Sequence, residues 1–408
     1  MTRIACLGHT IDPLFLSKKV RSSLIVFIPK SDKRYKKYYK DFKTIEFDFK
    51  CKDAIEETSD FDVMSSGGFK KALQLTEITH FLVSHRSTKE LFSLLIKLKI
   101  TPLGNHYGWA TRFENKDYFD RLLKTFSLPK PKTLSNAMLS THKAKVVLQE
   151  VNSFGSFGTK IVTAKEALTI NHKIKNKRSL LTREFVDGSV YGITLLIKGK
   201  SFALSALRQQ CYFDESLLFA GVQWITSKSI PKKVRNSIQK SFKIIAQHCI
   251  KNNIEGILNF DFIISKNQKL SILECNPRPS SATPHLLSHK ELIHGIDLSE
   301  FMTMQNFKFK TNEKVPNHHF QGALLDIMVP RNLSGIETKR SLKKLLVSQN
   351  KIKQKKLFVH LVLKPSFKEG DFLGLILSEK RLFSSSGTLL ESTKLLYETI
   401  TGISLRKT

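Results

Sequence analysis

Apolar residues in this chain come in short runs separated by helical patterns. Near the N-terminus, Ile4–Leu7, Leu24–Ile28, Phe61–Met64, Phe81–Ser84 and Pro102–Gly104 read as strands. Lys89–Leu98 places Leu91, Leu94, Leu95 and Leu98 on one helical face. Strand-sized runs alternating with such helices predict a small parallel α/β layer over residues 1–112. It has no GxGxxG run, so it need not hold a nucleotide itself. Asn115–Tyr118 then starts a helix carrying Phe119, Leu122, Leu123 and Phe126, and Pro129 and Pro131 stop it. Val146–Gln149 and Ile161–Val162 read as strands flanking a Gly/Ser loop. Leu180–Val186 reads as a strand ending in the turn Asp187–Gly188, and Phe202–Leu207 as another strand. Val234, Ile238, Phe242, Ile245, Ala246, Cys249 and Ile250 recur at helical spacing after Pro231, as a core-facing stripe. From about residue 306 the pattern is two strands, Leu357–Leu363 and Phe372–Leu377, a turn at Gly370–Asp371 and a last helix from Leu389 to Ile400.

The most informative pattern is the pair Leu258–Phe262 and Ile272–Asn276. Both runs are apolar with carboxylates at their ends, and the polar stretch Ser265–Lys269 between them reads as a turn. Glu274 and Asn276 are two apart, so both point to one face of an extended segment. Asp261, Glu274 and Asn276 together offer the hard oxygen donors that Mg²⁺ prefers. Arg278 adds a fixed positive charge beside them. A metal and an arginine together suit a phosphoryl group in transfer. In the Gly/Ser loop, Gly155, Ser156 and Gly158 would let backbone N–H groups approach phosphate oxygens. Arg208 lies on the strand Phe202–Leu207 or just beyond it. It either faces a substrate carboxylate or lies on the surface.

The acid … acid-x-Asn-x-Arg pattern of Asp261, Glu274, Asn276 and Arg278 resembles the ATP-grasp superfamily, well over roughly residues 110–290 and loosely in the flanks. The resemblance implies an α/β and α+β fold with three parts. They are a pre-ATP-grasp α/β domain (1–112), an ATP-grasp domain (113–305) with a flexible lid at about 133–185, and a small C-terminal α+β cap (306–408). It makes Lys116 a candidate for the nucleotide phosphates, Gly155–Gly158 the lid loop, and Glu184 with the Val186 backbone the hinge over adenine. Gln149 departs from the family, because many members carry a nucleotide-contacting lysine there.

The implied activity is ATP-dependent ligation of a carboxylate to an amine through an acyl phosphate, releasing ADP and phosphate. ATP and Mg²⁺ are the implied cofactors, with Mn²⁺ as a substitute. Asp261, Glu274 and Asn276 would be the metal ligands, and Arg278 and Arg208 the catalytic arginines. Two alternatives stand beside it. One is a protein of this fold that binds nucleotide without turnover, which Gln149 favours. The other is a basic ligase acting on an RNA or ribosomal partner.

Charge bears on that last alternative. Sixty-seven Lys and Arg face 35 Asp and Glu, a formal net charge of +32. A field of that sign speeds association with a polyanion, RNA or an acidic protein; a general bias toward Lys and Phe is the competing account. The clusters Lys30–Lys40, Lys173–Arg178, Lys228–Arg235 and Lys339–Lys356 are dispersed rather than aligned. The five cysteines (Cys6, Cys51, Cys211, Cys249, Cys275) form no CxxC pair, which fits free thiols in a reducing cytoplasm. No apolar run reaches membrane-span length, and no secretory leader is expected. A cytoplasmic enzyme acting on small molecules, as a monomer or homodimer, is the expectation.

Overall fold

The structure, a computed structural model, describes the chain apart from residues 1–2, 9–11, 32, 51–58, 84–85, 154–157, 174–179, 213–218, 329–356, 362–371 and 402–408. The N-terminal layer is a parallel sheet of β1 (Ile4–Leu7), β2 (Leu24–Pro29), β3 (Lys43–Phe47), β4 (His80–Leu82) and β5 (Thr101–Leu103), in the order β3-β2-β1-β4-β5. Its strands β1 and β2 are apolar because both faces are covered, and they are buried at every position. Two expectations fail here. Phe61–Met64 is not a strand but part of the helix Asp60–Ser65. Ser59 caps that helix by accepting from the Asp62 N–H, and Asp60 and Asp62 suit its first turn. The strand missing from the expected set is β3, an edge strand whose half-exposed residues give no apolar run.

A second sheet is antiparallel: β6 (Lys145–Glu150) lies between β7 (Thr159–Thr163) and β8 (Leu180–Glu184). It packs one face on a small core of Leu134, Leu139, Val146, Leu148, Ala164 and Ala167. It lies within residues 133–185, the segment expected as a lid.

The central sheet holds β9 (Gly188–Lys198), β10 (Ser201–Leu204), β11 (Leu207–Tyr212), β12 (Phe219–Ile225), β13 (Gly256–Ser265), β14 (Leu270–Asn276), β15 (Ala323–Met328), β16 (Leu357–Leu361) and β17 (Phe372–Ser378). Its order is β14-β13-β9-β11-β12-β15-β17-β16, with β10 beside β9. The expected run Phe202–Leu207 is thus split between β10 and β11, which pair with different stretches of β9. The tail strands β15–β17 continue this same sheet through β12 rather than building one of their own. The last helix spans Glu391–Thr401.

One face of the central sheet rests on the helix Lys232–Lys251, whose Val234, Ile238, Phe242, Ile245, Ala246 and Cys249 are buried. Phe242 meets Phe260 at 4.9 Å and Phe119 meets it at 5.9 Å between ring centroids. Each such fully buried ring contributes about 2–3 kcal/mol of transfer free energy. The opposite face meets the N-terminal sheet, where Leu196, Ala206, Trp224 and Ile257 join Cys6, Val26 and Leu82 in one core. Strand β13 is therefore gripped from both sides, and its side chains hold their register.

Candidate active site

Strands β13 and β14 form the expected hairpin, with Asp261 directly opposite Glu274 and Asn259 opposite Asn276. Directly opposed residues have Cβ atoms about 5 Å apart, so the two carboxylates face each other across one gap. The Asn276 amide nitrogen donates to Asp261 Oδ2 at 3.1 Å and Glu274 Oε1 at 3.3 Å. Gln210 Nε2 donates to Asp261 Oδ1 at 2.6 Å, and the Tyr212 hydroxyl donates to Gln210 Oε1 at 2.9 Å. Burial, then the adjacent Glu274 charge, hold the Asp261 carboxyl above its usual range, against the pull of Arg208. Tyr212 is raised as well, chiefly by burial and then by the two acids. Two facing carboxylates, one of them held above its usual range by burial and by the other's charge, and an amide oxygen are hard donors that a divalent cation suits, so these residues fit a metal.

Arg208 is not on the surface. It is buried on β11, and its guanidinium crosses β9 at Gly192, the residue paired with Asp261. A Cβ at Gly192 would stand 2.7 Å from Arg208 Nε, so only glycine leaves the path open. Arg208 Nη1 donates to Thr194 Oγ1 at 3.1 Å and Nη2 to Asn259 Oδ1 at 3.2 Å. Burial lowers its pKa to about 10, opposed by Asp261. Asn259 in turn donates Nδ2 to the Arg278 carbonyl at 2.6 Å. Arg208 thus orders the ground under the hairpin and the loop after it.

Lys116, at the first turn of the helix Lys116–Thr125, is buried. Its ammonium donates to the Ser153 carbonyl and stands 3.5 Å from Glu274 Oε2, which joins the base of the lid loop to the hairpin. Arg278 follows β14, and its Nε lies 3.5 Å from Glu114 Oε1; Arg86 Nε holds the other Glu114 oxygen at 2.6 Å. Asn105 donates to the carbonyls of Ile257 at 2.7 Å and Pro277 at 2.6 Å, which fixes the same loop to the N-terminal layer.

On the lid side, Gln149, the next-to-last residue of β6, accepts from Arg183 Nη1 at 3.2 Å. Gly158 has φ +74°, a left-handed value suited to glycine, and its carbonyl accepts from the Glu150 N–H at 3.0 Å. Glu184 ends β8; one of its oxygens accepts from the Lys132 N–H at 2.9 Å. Val186 lies just beyond, in the link to β9. Gly155 and Ser156 lie outside the described residues, as does the basic segment 339–356.

The structure therefore brings Asp261, Glu274, Asn276, Lys116, Arg278 and Arg208 into one connected region. Sequence reasoning missed Glu114, Asn105, Asn259, Gln210, Tyr212 and Arg183. Only the Arg-Gln-Gln run at 208–210 hinted at a polar strand among apolar neighbours.

Residues 113–282 match the model of an ATP-grasp domain. A biotin carboxylase from Campylobacter jejuni, in a complex with a β,γ-ATP compound, superposes with a TM-score of 0.65 at 10% identity, over 93% of this chain and 88% of that one. Carboxyaminoimidazole ribonucleotide synthase from Aspergillus clavatus, complexed with ATP, gives 0.60 at 10% identity and covers 98% of each chain. The biotin carboxylase domain of the Hydrogenobacter thermophilus 2-oxoglutarate carboxylase, a dimer solved with MgADP, ADP and bicarbonate, gives 0.65 at 9% identity, covering 93% and 86%. At such identities the likeness is one of fold. The segment 113–282 is thus similar to an ATP-grasp domain, and the chain shares its fold with these ATP-grasp-type structures.

Proposed function

We propose that this protein is an ATP-dependent ligase that joins a carboxylate to an amine through an acyl phosphate. The observation that carries the reading is the register that sets Asp261 against Glu274, with Asn276, Lys116 and Arg278 around them. The nucleotides, magnesium and bicarbonate named for the solved structures of the same fold support the choice of ATP, Mg²⁺ and a carboxylate-type substrate.

Asp261, Glu274 and Asn276 would hold the divalent cation, Mg²⁺ or in its place Mn²⁺. When bound, it offsets phosphate charge and aligns the terminal phosphoryl group. The chain supplies the rest. Lys116, Gln149 and the Gly155–Gly158 loop meet the phosphates, and Glu184 and the Val186 backbone meet the base. Arg278 stabilises charge on the phosphoryl oxygens as a substrate carboxylate oxygen attacks the γ-phosphorus and the bridging oxygen leaves on ADP. Attack by an amine nitrogen on the acyl carbon then expels phosphate, and the nitrogen loses its proton. Arg208, with its guanidinium already bonded to Thr194 and Asn259, positions the hairpin from beneath. A closed lid keeps water from the acyl phosphate.

The test is ADP release in the presence of MgATP across a panel of small carboxylates paired with amines, including bicarbonate, with the product mass measured. Release that depends on both a carboxylate and an amine is the expected result. Tight MgATP binding with no release under any pairing would favour the alternative of a non-catalytic nucleotide binder. The net charge of +32 raises a polyanionic partner as an addition to this activity, beside a general bias toward Lys and Phe. Binding to total RNA that weakens steeply with salt would support that addition, and no binding at low salt would remove it.

A further inference from the structure

We infer that Arg183 is the cation through which the lid engages the phosphates of a bound nucleoside polyphosphate, in place of a charge at residue 149. The inference rests on the nucleotide-binding reading above. Arg183 lies on β8 opposite Val147 of β6. Gln149 is two residues further along β6, so Gln149 and Arg183 share one face of the lid sheet. The other face is the one packed on Val146 and Leu148. The guanidinium therefore projects from the lid toward the hairpin. It reaches it, because Nη1 donates to the Leu273 carbonyl, beside Glu274, at 2.9 Å and to Gln149 Oε1 at 3.2 Å.

Arg183 is 2% exposed, and its Nε has no hydrogen-bond partner among the described residues. Burial lowers its pKa, offset in part by Asp120 and then Glu274. Asp120 does not use it up. Asp120 Oδ2 already accepts from Lys130 Nζ at 2.8 Å and Thr133 Oγ1 at 2.9 Å, while Arg183 Nη2 stands 3.2 Å from Oδ1 without hydrogen-bond geometry. Asp120 is shared with Lys130, and the Arg183 Nε is left as a buried donor without an acceptor, which is costly unless an incoming acceptor completes it. Phosphate suits a planar guanidinium fork. A lysine at residue 149 would set an ammonium against the guanidinium that Gln149 now touches, so it should compete with Arg183 rather than add to it.

The experiment titrates MgADP and, separately, adenosine into the wild type, Arg183→Lys, Arg183→Gln, Gln149→Lys and the double variant Arg183→Gln/Gln149→Lys by calorimetry. Thermal unfolding of each is recorded. Arg183→Gln should weaken MgADP binding about tenfold or more but adenosine binding by less than about twofold. Gln149→Lys alone should bring no gain, and the double variant should return to within about threefold of the wild type. A folded Arg183→Gln that binds MgADP like the wild type overturns the inference. So does equal loss for adenosine and MgADP, or tighter MgADP binding by Gln149→Lys alone. If Arg183→Gln does not fold, the other two single variants decide: MgADP affinity unchanged in Arg183→Lys and raised in Gln149→Lys overturns it. A wild type that binds neither ligand sinks the nucleotide reading itself, an outcome distinct from all of these.

Discussion

The two sheets on either side of the cleft are held by opposite means. Strand β13 is clamped between a large apolar core around Phe242 and Phe260 and the interface with the N-terminal layer. The lid sheet packs on six buried apolar residues, two of them alanines. Its links to the body among the described residues include polar ones: the Lys116 N–H to the Val151 carbonyl and its ammonium to Ser153, Asn115 to Asn152, Thr133 to Asp120, and Arg183 to the Leu273 carbonyl. Hydrophobic burial fixes what must not move, since a metal site loosened by an ångström loses its geometry. A sheet with few buried apolar contacts opens at lower free energy. Ligand groups can take over polar ties with little net change, so such a lid suits a part that closes on nucleotide.

The strongest way to break the rigid side is chemical. Glu274→Gln keeps the volume and removes a metal-binding charge. It should lower MgATP-dependent ADP production about a thousandfold with the melting temperature within about 2 °C of the wild type. Wild-type turnover by that folded variant would remove Glu274 from the metal set.

Packing gives the next largest contrast. Phe260→Ala should cost about 3–5 kcal/mol of global stability, and Leu148→Ala about 2–3 kcal/mol expressed mainly in the lid. Hydrogen exchange should accelerate across β6–β8 in the second variant while β13 stays protected. Equal exposure of both sheets would mean that the lid unfolds with the body.

A fourth variant separates stability from function. The Asp261 pKa is raised in the folded state, so folding favours its protonated form. That contribution is present at low pH and is lost as pH rises from the unfolded value, about 3.9, through the raised one. Asp261→Asn should therefore raise the melting temperature of the metal-free protein at pH 8 by a few degrees, with the gain vanishing near pH 4. With Asp261 in the proposed metal set, protons and Mg²⁺ would compete for the same carboxylate, so wild-type Mg²⁺ affinity should fall as pH drops through that range. A flat difference in melting temperature between pH 4 and pH 8 would assign the strain elsewhere.

The smallest effect concerns the lid turn. Gly158→Ala meets φ +74° and a Cβ 2.8 Å from the flexible Glu150 side chain. It should cost about 1 kcal/mol within the lid and weaken MgADP binding severalfold. Unchanged exchange rates in β6 and β7 would show that the turn does not hold the lid together.

Much of this contrast was legible along the chain. The hairpin, the stripe from Val234 to Ile250 and the helix that begins with Lys116 all announced themselves, because apolar periodicity and capping are local properties. The strand reading of Phe61–Met64 failed because a short apolar run suits either element; Ser59 and Asp62 decided for a helix. Strand β3 stayed hidden because half its residues face water. The tail was expected as a separate cap, yet its strands carry the same local signal whichever sheet they join.

The sequence by itself determined most element types, the spacing of Asp261, Glu274, Asn276 and Arg278, and the resemblance of its middle segment to an ATP-grasp domain. Tertiary structure alone decided that Gly192 opens a path for Arg208, that Asn105 and Glu114 hold the Arg278 loop from the N-terminal side, and that Arg183 meets Gln149 from a neighbouring strand. Those contacts join residues far apart in the chain. A short motif records only what one strand or turn dictates, whereas burial of charge is settled where separate segments meet.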